Sequence, residues 1–187
     1  TTPEYYPLSL NALVTACNQK SNRHPVVEYE DNDVLECLRS LRSRGFAAEI
    51  TGGSRVAKYR QRFTEQLNLG RRETAILCVL MLRGPQTVGE LRGRTERMYE
   101  FSDMEEVESV LQTLASRTPD PMAAPAARGR WVHLLGGRGA IEAAAQYTAA
   151  NSAAPGEPHP LETRVEALER EVEQLKAMFE GFRKQFE

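Results

Sequence analysis

Cysteine, tryptophan and long apolar runs are scarce in this sequence of 187 residues. The three cysteines, Cys17, Cys37 and Cys78, show no paired spacing, and an odd, unpatterned set is typical of reduced thiols in an apolar interior. No apolar run reaches the length of a membrane span and no signal peptide is visible. We therefore expect a soluble, cytoplasmic protein with no membrane partner.

Residues that carry catalysis or bind metals are also sparse. The three histidines, His24, His133 and His159, have no ligand spacing relative to cysteine, aspartate or glutamate. No glycine-rich phosphate loop follows a strand pattern, because Gly52 and Gly53 lie inside a hairpin pattern. The sequence thus indicates a protein that is not an enzyme, with no catalytic residue, no metal site and no cofactor.

The formal net charge of −2 gives no overall signature of nucleic-acid binding, but the charges are unevenly distributed. Between Arg39 and Arg62 there are seven cations and one carboxylate, Glu49. Between Thr87 and Glu108 there are three arginines and seven carboxylates. Only the first of these regions favours an anionic partner.

The most informative feature is an internal repeat. Residues 33–44 recur as residues 106–117, 73 positions later. Both copies have i, i+3, i+4, i+7 spacing, which places four apolar side chains on one face of a helix. The superposed pairs are Val34 with Val107, Cys37 with Val110, Leu38 with Leu111, and Leu41 with Leu114. A repeat of this length matches a small domain, so we expect two copies of one fold.

Helix-capping residues extend the repeat on its N-terminal side. Thr87 and Glu90 have the spacing of a capping box, and Ser9 takes the equivalent position in the first copy. Asp31 and Asn32 are the expected caps of the first repeated helix. These signals predict a second helix ahead of each repeated helix.

A hairpin follows the repeated helix in each copy. Gly45 favours a left-handed helix stop, and a strand, a two-glycine turn and a returning strand over residues 55–63 follow, with Tyr59 facing the core. The counterpart of this returning strand is residues 128–135, with Trp131 in the place of Tyr59. Two helices followed by a hairpin are the ending of a winged helix.

A winged helix also needs a first helix, and the sequence provides it in one copy only. Residues 71–83 carry Ile76, Val79 and Leu80 on one face and precede Thr87. The matching helix of the first copy falls mostly ahead of Thr1. We therefore expect an N-terminal helix that the printed sequence does not include.

The C-terminal part has a different pattern. Proline, alanine and glycine dominate residues 137–160, as in a mobile linker. The following apolar residues alternate spacings of four and three, which is the a/d seam of a coiled coil. The seam comprises Leu161, Val165, Leu168, Val172, Leu175, Phe179, Phe182 and Phe186. We expect a parallel homodimer here; the alternative is one amphipathic helix packed on its own chain.

Several strings carry a resemblance to a known family. They are TTPEYYPLS at residues 1–9, CNQKSNR at 17–23, LMLRG at 80–84 followed by QT at 86–87, and RMYEFSDMEEVE at 97–108. Together they closely resemble the YceH family of uncharacterised bacterial proteins, over roughly residues 1–135 and the heptad tail. The resemblance implies tandem winged-helix domains and leaves the function open. The hairpin over residues 117–130 departs from the family pattern, being shorter and rich in proline and alanine.

These observations predict a mainly α protein with small β-hairpins. A first winged-helix domain spans residues 1–66 and a second spans residues 67–136. The linker over 137–160 and the coiled-coil helix over 161–187 complete the chain.

Duplex DNA is the expected partner of the first domain, because arginine and lysine contacts with phosphates dominate the affinity of such domains for DNA. Lys58, Arg60 and Arg62 share one face of the returning strand, Arg55 lies at the hairpin tip, and Arg39 lies on the third helix. The polar run over residues 18–23 adds Lys20 and Arg23, although it serves equally well as a loop that closes the second helix.

A protein-interaction scaffold is the alternative function. In the second domain Arg97, Tyr99 and Phe101 have the composition of an interface hot spot, although loop aromatics also serve as core plugs. The helix that follows begins with carboxylates at 103, 105, 106 and 108, which repel phosphates. A protein partner at the second domain would fit both features.

Overall fold

The computed structural model describes residues 6–50, 56–137, 139 and 141–142. The first half comprises β1 (Leu8–Ser9), α1 (Leu10–Cys17), α2 (Asp31–Ser43), β2 (Ala47–Ile50) and β3 (Lys58–Gln61). The short helix α3 (Phe63–Gln66) ends the first half, and the second half comprises α4 (Arg71–Arg83), β4 (Gln86–Thr87), α5 (Val88–Thr95), α6 (Met104–Ala115), β5 (Ala123–Ala126) and β6 (Arg130–His133), with a 3₁₀ turn at Ala127–Gly129. The described part is thus mainly helical with small sheets, as predicted.

Strand pairing confirms the internal repeat. The first sheet is antiparallel with the order β1-β3-β2, and the second is antiparallel with the order β4-β6-β5. Leu8 lies opposite Tyr59, and Gln86 lies opposite Trp131. Equivalent positions of the two copies therefore occupy equivalent places in the two sheets.

Helix caps follow the sequence signals at α1 and α5. The side chains of Ser9 and Thr87 accept hydrogen bonds from the backbone N–H groups of Ala12 and Glu90, at 3.3 and 3.2 Å. Asp103 caps α6 in the same way, accepting from Glu106 N–H at 2.7 Å. The expectation for α2 was wrong.

The cap of α2 is Glu30 instead of Asp31 or Asn32. Asp33 reaches back to accept the Glu30 N–H at 2.8 Å, so the helix begins one residue earlier than the sequence indicated. At the other end Gly45 has a φ of +79°, which is the left-handed stop that the sequence predicted.

Both returning strands are shorter than expected. The first pairs only over Lys58–Gln61 and the second only over Arg130–His133. Strand β3 ends because Arg62 leaves the extended conformation, with φ −122° and ψ 10°, and begins α3. Tyr59 and Trp131 face their cores as predicted, at 8% and 9% exposure.

The two copies of the repeated helix differ in burial. In α6 all four apolar positions are buried, and Leu114 is 0% exposed. In α2 only Val34 and Leu38 are buried, whereas Leu41 is 43% exposed and Cys37 is exposed as well, unlike a core thiol. The repeat therefore encodes the same apolar face twice, but the structure covers it fully only once.

Helix α4 explains this difference. It packs on α5 and α6 and contributes Ala75, Ile76, Leu77, Val79 and Leu80 to the core of the second half. No helix takes this place among the described residues of the first half. Leu41 instead lines a groove of about 1050 Å³ whose walls come from both halves, including Leu13, Leu38, Met81 and Met122.

Contacts also join the two halves, which belong to one compact unit. Phe63 and Leu67, around the four-residue α3, pack against the core of the second half. Arg117 donates a hydrogen bond to the Leu67 carbonyl at 2.7 Å. The segment between the two copies is therefore anchored on the second one.

Candidate nucleic-acid interface

The central strand of the first sheet carries two of the candidate cations. Lys58 and Arg60 flank the buried Tyr59, so they project from the opposite face of the sheet. Lys58 pairs with Ile50, and this is the last described residue pair of the hairpin before its connecting segment. Arg55, at the predicted tip, lies outside the described residues.

Arg62 does not share that strand face, which corrects the sequence-based expectation. The strand ends at Gln61, and Arg62 is the N-cap residue of α3. Its backbone N–H donates to the Phe46 carbonyl at 2.7 Å. The turn into α3 redirects the Arg62 side chain toward the carboxylate of Glu65.

Glu65 binds both arginines at the end of this strand. Its carboxylate oxygens lie 2.9 Å from Arg60 Nη1 and 3.2 Å from Arg62 Nε. The hydrogen bond from Arg62 is the main cause of the lowered pKa of Glu65; desolvation acts in the opposite direction, and the hydrogen bond and charge of Arg60 lower the pKa further. At neutral pH the three side chains therefore carry one net positive charge instead of two.

The sequence analysis did not identify Glu65, because this residue lies just beyond the cation-rich region between Arg39 and Arg62. Its i+3 spacing from Arg62 is the signal that could have identified it. A second ion pair nearby also neutralises an arginine, since Arg42 Nη1 lies 2.6 Å from Glu49 Oε2. The positive field of the first half is thus weaker than the sequence indicated.

Arg39 and Lys58 remain uncompensated. Arg39 is exposed on α2, on the side away from Val34 and Leu38, and it makes no ion pair within the described ranges. Lys58 is half-buried and likewise has no ion pair there. These two cations are the strongest remaining candidates for phosphate contacts in the first half.

The loop over residues 18–30 is held closed by its own side chains. The Asn18 amide donates to the Tyr29 carbonyl at 2.8 Å and accepts the Tyr29 N–H at 2.7 Å. Arg23 donates to Gln19 Oε1 at 2.8 Å, whereas Lys20 is exposed. Arg23 thus has a structural role in this loop in addition to its charge.

In the second half the candidate interaction residues are split between core and surface. Phe101 is 2% exposed and packs edge-on against Tyr99, with ring centroids 4.7 Å apart. The Tyr99 hydroxyl donates to Glu106 at 3.0 Å, and this hydrogen bond is the main cause of the raised pKa of Tyr99. Arg97 is exposed. The two aromatic rings therefore pack in the core, and Arg97 is the one of these three residues whose side chain is accessible to a partner.

The carboxylates at the start of α6 have structural partners. Glu106 accepts hydrogen bonds from Ser102 N–H at 3.0 Å and from Arg72 at 3.3 Å, and the Ser102 bond is the main cause of its lowered pKa. Glu105 and Glu108 are exposed. The surface of this helix start is negative.

Neither a metal-binding cluster nor a membrane-spanning helix is present in the described ranges. No group of three or more histidine, cysteine, aspartate or glutamate side chains there is arranged to hold a metal ion. None of the described helices combines the length and apolarity needed to cross a bilayer. The predicted self-association residues, Leu161, Val165, Leu168, Val172, Leu175, Phe179 and Phe182, lie outside the described residues.

The fold defines a class of protein: mainly helical, with small antiparallel sheets and two copies of a strand, helix, helix and hairpin arrangement. Residues 1–130 match the family model described as protein of unknown function, DUF480. The chain belongs to this family, as its resemblance to YceH proteins indicated.

Relatives match over most of their length. A UPF0502 protein of Solibacter usitatus is 52% identical over 190 residues, covering 100% of this chain and 90% of the relative. A UPF0502 protein of Citrifermentans bemidjiense is 50% identical, covering 92% and 80%. The UPF0502 protein YceH of Salmonella paratyphi A is 47% identical, covering 94% and 85%. These names state no enzymatic activity.

Proposed function

We propose that the protein is a cytoplasmic, non-enzymatic, tandem winged-helix protein that binds duplex DNA through its first half. The observation that carries the proposal is the shared topology. In each half a short strand precedes two helices and pairs with the last strand of the hairpin. This is the ending of a winged helix, and α4 supplies the first helix of the second copy. The proposed domains are residues 1–66 and 67–136.

Helix α2 is the recognition element in this proposal. Winged-helix and related domains place the second helix of the helix-turn-helix in the major groove and contact phosphates with flanking cations. The outer face of α2 is exposed and carries Arg39, and the hairpin that follows carries Lys58 near its turn. Both cations are free of ion pairs in the described structure, so no carboxylate must be displaced before they bind phosphate.

The test is a salt titration of DNA binding with two charge-matched variants. The double variant R39A/K58A removes the uncompensated cations of the first half, and R71A/R97A removes two exposed arginines of the second half. Fluorescence anisotropy with a mixed-sequence duplex gives the slope of log affinity against log salt. The first variant should reduce the magnitude of this slope by about 2, whereas the second should leave it unchanged.

Two outcomes contradict the proposal. The first is a parent protein with no salt-sensitive affinity for duplex DNA at any ionic strength tested. The second is an R71A/R97A variant that reduces the slope as much as R39A/K58A does, which would show that binding follows overall charge and not the first half.

A second candidate function, a protein-interaction scaffold, is favoured by the negative start of α6. Glu105 and Glu108 are exposed there and repel phosphates, whereas Arg97 on the preceding loop is open to a partner. A photo-crosslinking residue at position 97, used in cells, would join the protein to a partner that docks here. The same label at the exposed Arg71 is the control and should give no such product.

A further inference from the structure

A backbone hydrogen bond brings the loop over residues 18–30, which carries Arg23, to the end of α4 in the second half. The N–H of His24 donates to the Leu82 carbonyl at 2.8 Å. Gly84, with φ +70°, lets the chain turn beneath the His24 ring, since a Cβ there would be 3.1 Å from His24 Cδ2. Arg23 and Arg83 are each one residue from this hydrogen-bonded pair, so the backbone positions that carry the two arginines lie close together.

A second set of hydrogen bonds brings Arg94 to the same place. The Gln86 amide donates to the Arg83 carbonyl at 3.1 Å, and Gln86 Oε1 accepts a hydrogen bond from Arg94. Gln86 is 1% exposed, so it is a fixed support and not a mobile surface group. Arg23 and Arg94 therefore both lie near Arg83.

Like charges at this junction are only partly compensated. Glu90 is the carboxylate that pairs here, and it is shared between Arg94 at 3.4 Å and Arg130 at 2.7 Å. In the part of the chain that the structure describes, Arg83 makes no ion pair, and Arg23 donates only to uncharged oxygens. Glu90 thus pairs with Arg94 and Arg130 and leaves the charges of Arg23 and Arg83 without a carboxylate partner in the described structure.

The mutual repulsion of these cations is visible at Arg83. Burial lowers the pKa of Arg83, and the charges of Arg94 and Arg23 lower it further. An anion placed between the three arginines would relieve this repulsion, and phosphate oxygens match the planar guanidinium donors in geometry. The hydrogen bonds through His24 and Gln86 hold the cluster together without such an anion.

We propose that Arg23, Arg83 and Arg94 form a phosphate-binding site where the two halves of the protein meet. The site goes beyond the proposed DNA contact at Arg39 and Lys58, because it uses different residues and accepts a phosphate group from either of two sources. One source is the backbone of bound DNA, and the other is a free small phosphate compound.

The experiment uses the double variant R23Q/R83Q with R71Q as control. Arg71 lies at the opposite end of α4, about 18 Å from Arg83, and is exposed without an ion pair among the described residues. Calorimetry with inorganic pyrophosphate tests the free source, and salt-titrated anisotropy with duplex DNA tests the backbone source. The charge-retaining R23K/R83K separates loss of charge from loss of fold, and thermal melts verify folding of each variant.

We expect R23Q/R83Q to weaken pyrophosphate binding at least about tenfold, or to lower the DNA salt slope by about 1 to 2, with R71Q unchanged and R23K/R83K retaining most of the binding. Loss of pyrophosphate binding alone assigns the free source, and loss of slope alone assigns the backbone. The site is disproved if R23Q/R83Q matches the parent in both assays. It is equally disproved if the parent binds neither probe.

These results are separable from the proposed function. DNA binding that depends on Arg39 and Lys58 but not on Arg23 and Arg83, without pyrophosphate binding, supports the proposed function and rejects this site. Pyrophosphate binding that is lost in R23Q/R83Q, without any DNA binding, does the opposite.

Discussion

Arg60 Nη1 lies 2.9 Å from Glu65 Oε1, across the junction between the first hairpin and the short helix that follows it. The same carboxylate also binds Arg62. A carboxylate at this position reduces the affinity of both arginines for phosphate, since an anionic ligand would have to compete with it. The DNA affinity of the first half is therefore restrained by one acidic side chain.

Replacing Glu65 by glutamine should strengthen DNA binding. The change frees Arg60 and Arg62 while keeping the size of the side chain, so the salt slope should increase in magnitude by about 1 to 2. Glu28 offers a matched control, since E28Q removes the same charge from an exposed position of the same half. Equal gains from E65Q and E28Q would show that only the net charge matters.

Equivalent leucines of the repeat should differ in their contribution to stability. Leu114 is 0% exposed in the core to which α4 contributes, and its equivalent Leu41 is 43% exposed. L114A should lower the free energy of unfolding by about 2–5 kcal/mol, because it leaves a cavity, whereas L41A should lower it by less than about 1 kcal/mol. Urea denaturation of both variants measures this difference. Similar losses would mean that Leu41 is covered in solution.

Stability should fall at acidic pH through Glu90. Burial acts to raise its pKa, but the Thr87 N–H hydrogen bond and the charges of Arg130 and Arg94 outweigh it, so the pKa is lowered. A carboxyl whose pKa is depressed by folding stabilises the protein above its ordinary pKa, and this contribution is lost as the pH falls through the folded-state value.

The variant E90Q should therefore be less stable than the parent at pH 7, by no more than about 1 kcal/mol since the pair is partly exposed, and the difference should shrink as the pH falls through the lowered pKa of Glu90. Glutamine can still accept the Thr87 N–H, so the cap is retained. Thermal melts from pH 7 to pH 3 follow the difference. The control is E105Q, at an exposed position of α6; a constant gap between E90Q and the parent at all pH values would contradict the assignment.

The heptad seam predicted from the sequence should make the protein a dimer. Deletion of residues 161–187 should convert the dimer to a monomer in sedimentation velocity. The seam variant L168D/L175D should do the same, because it places charges at d positions, whereas A167D/A177D adds the same charges at outward c and f positions and should remain dimeric. An unchanged mass in the deletion would mean that the seam packs within its own chain.

Local signals in the sequence determined the helices and their ends. The repeated apolar face, the caps Ser9 and Thr87, and the stop at Gly45 were all predicted, because each depends on residues within one or two helical turns. The repeat also predicted that Tyr59 and Trp131 are equivalent, since both copies share one strand order.

Only the tertiary structure decided which charges are compensated and which apolar faces are covered. The contacts of Glu65 with Arg60, of His24 with the end of α4, and of α4 with α6 depend on where turns direct the chain. The sequence contains the same helix twice, yet it does not state that one copy is covered by a neighbouring helix while the other lines a groove. Burial and charge pairing are sums over neighbours that are distant in sequence, and local periodicity carries no information about them.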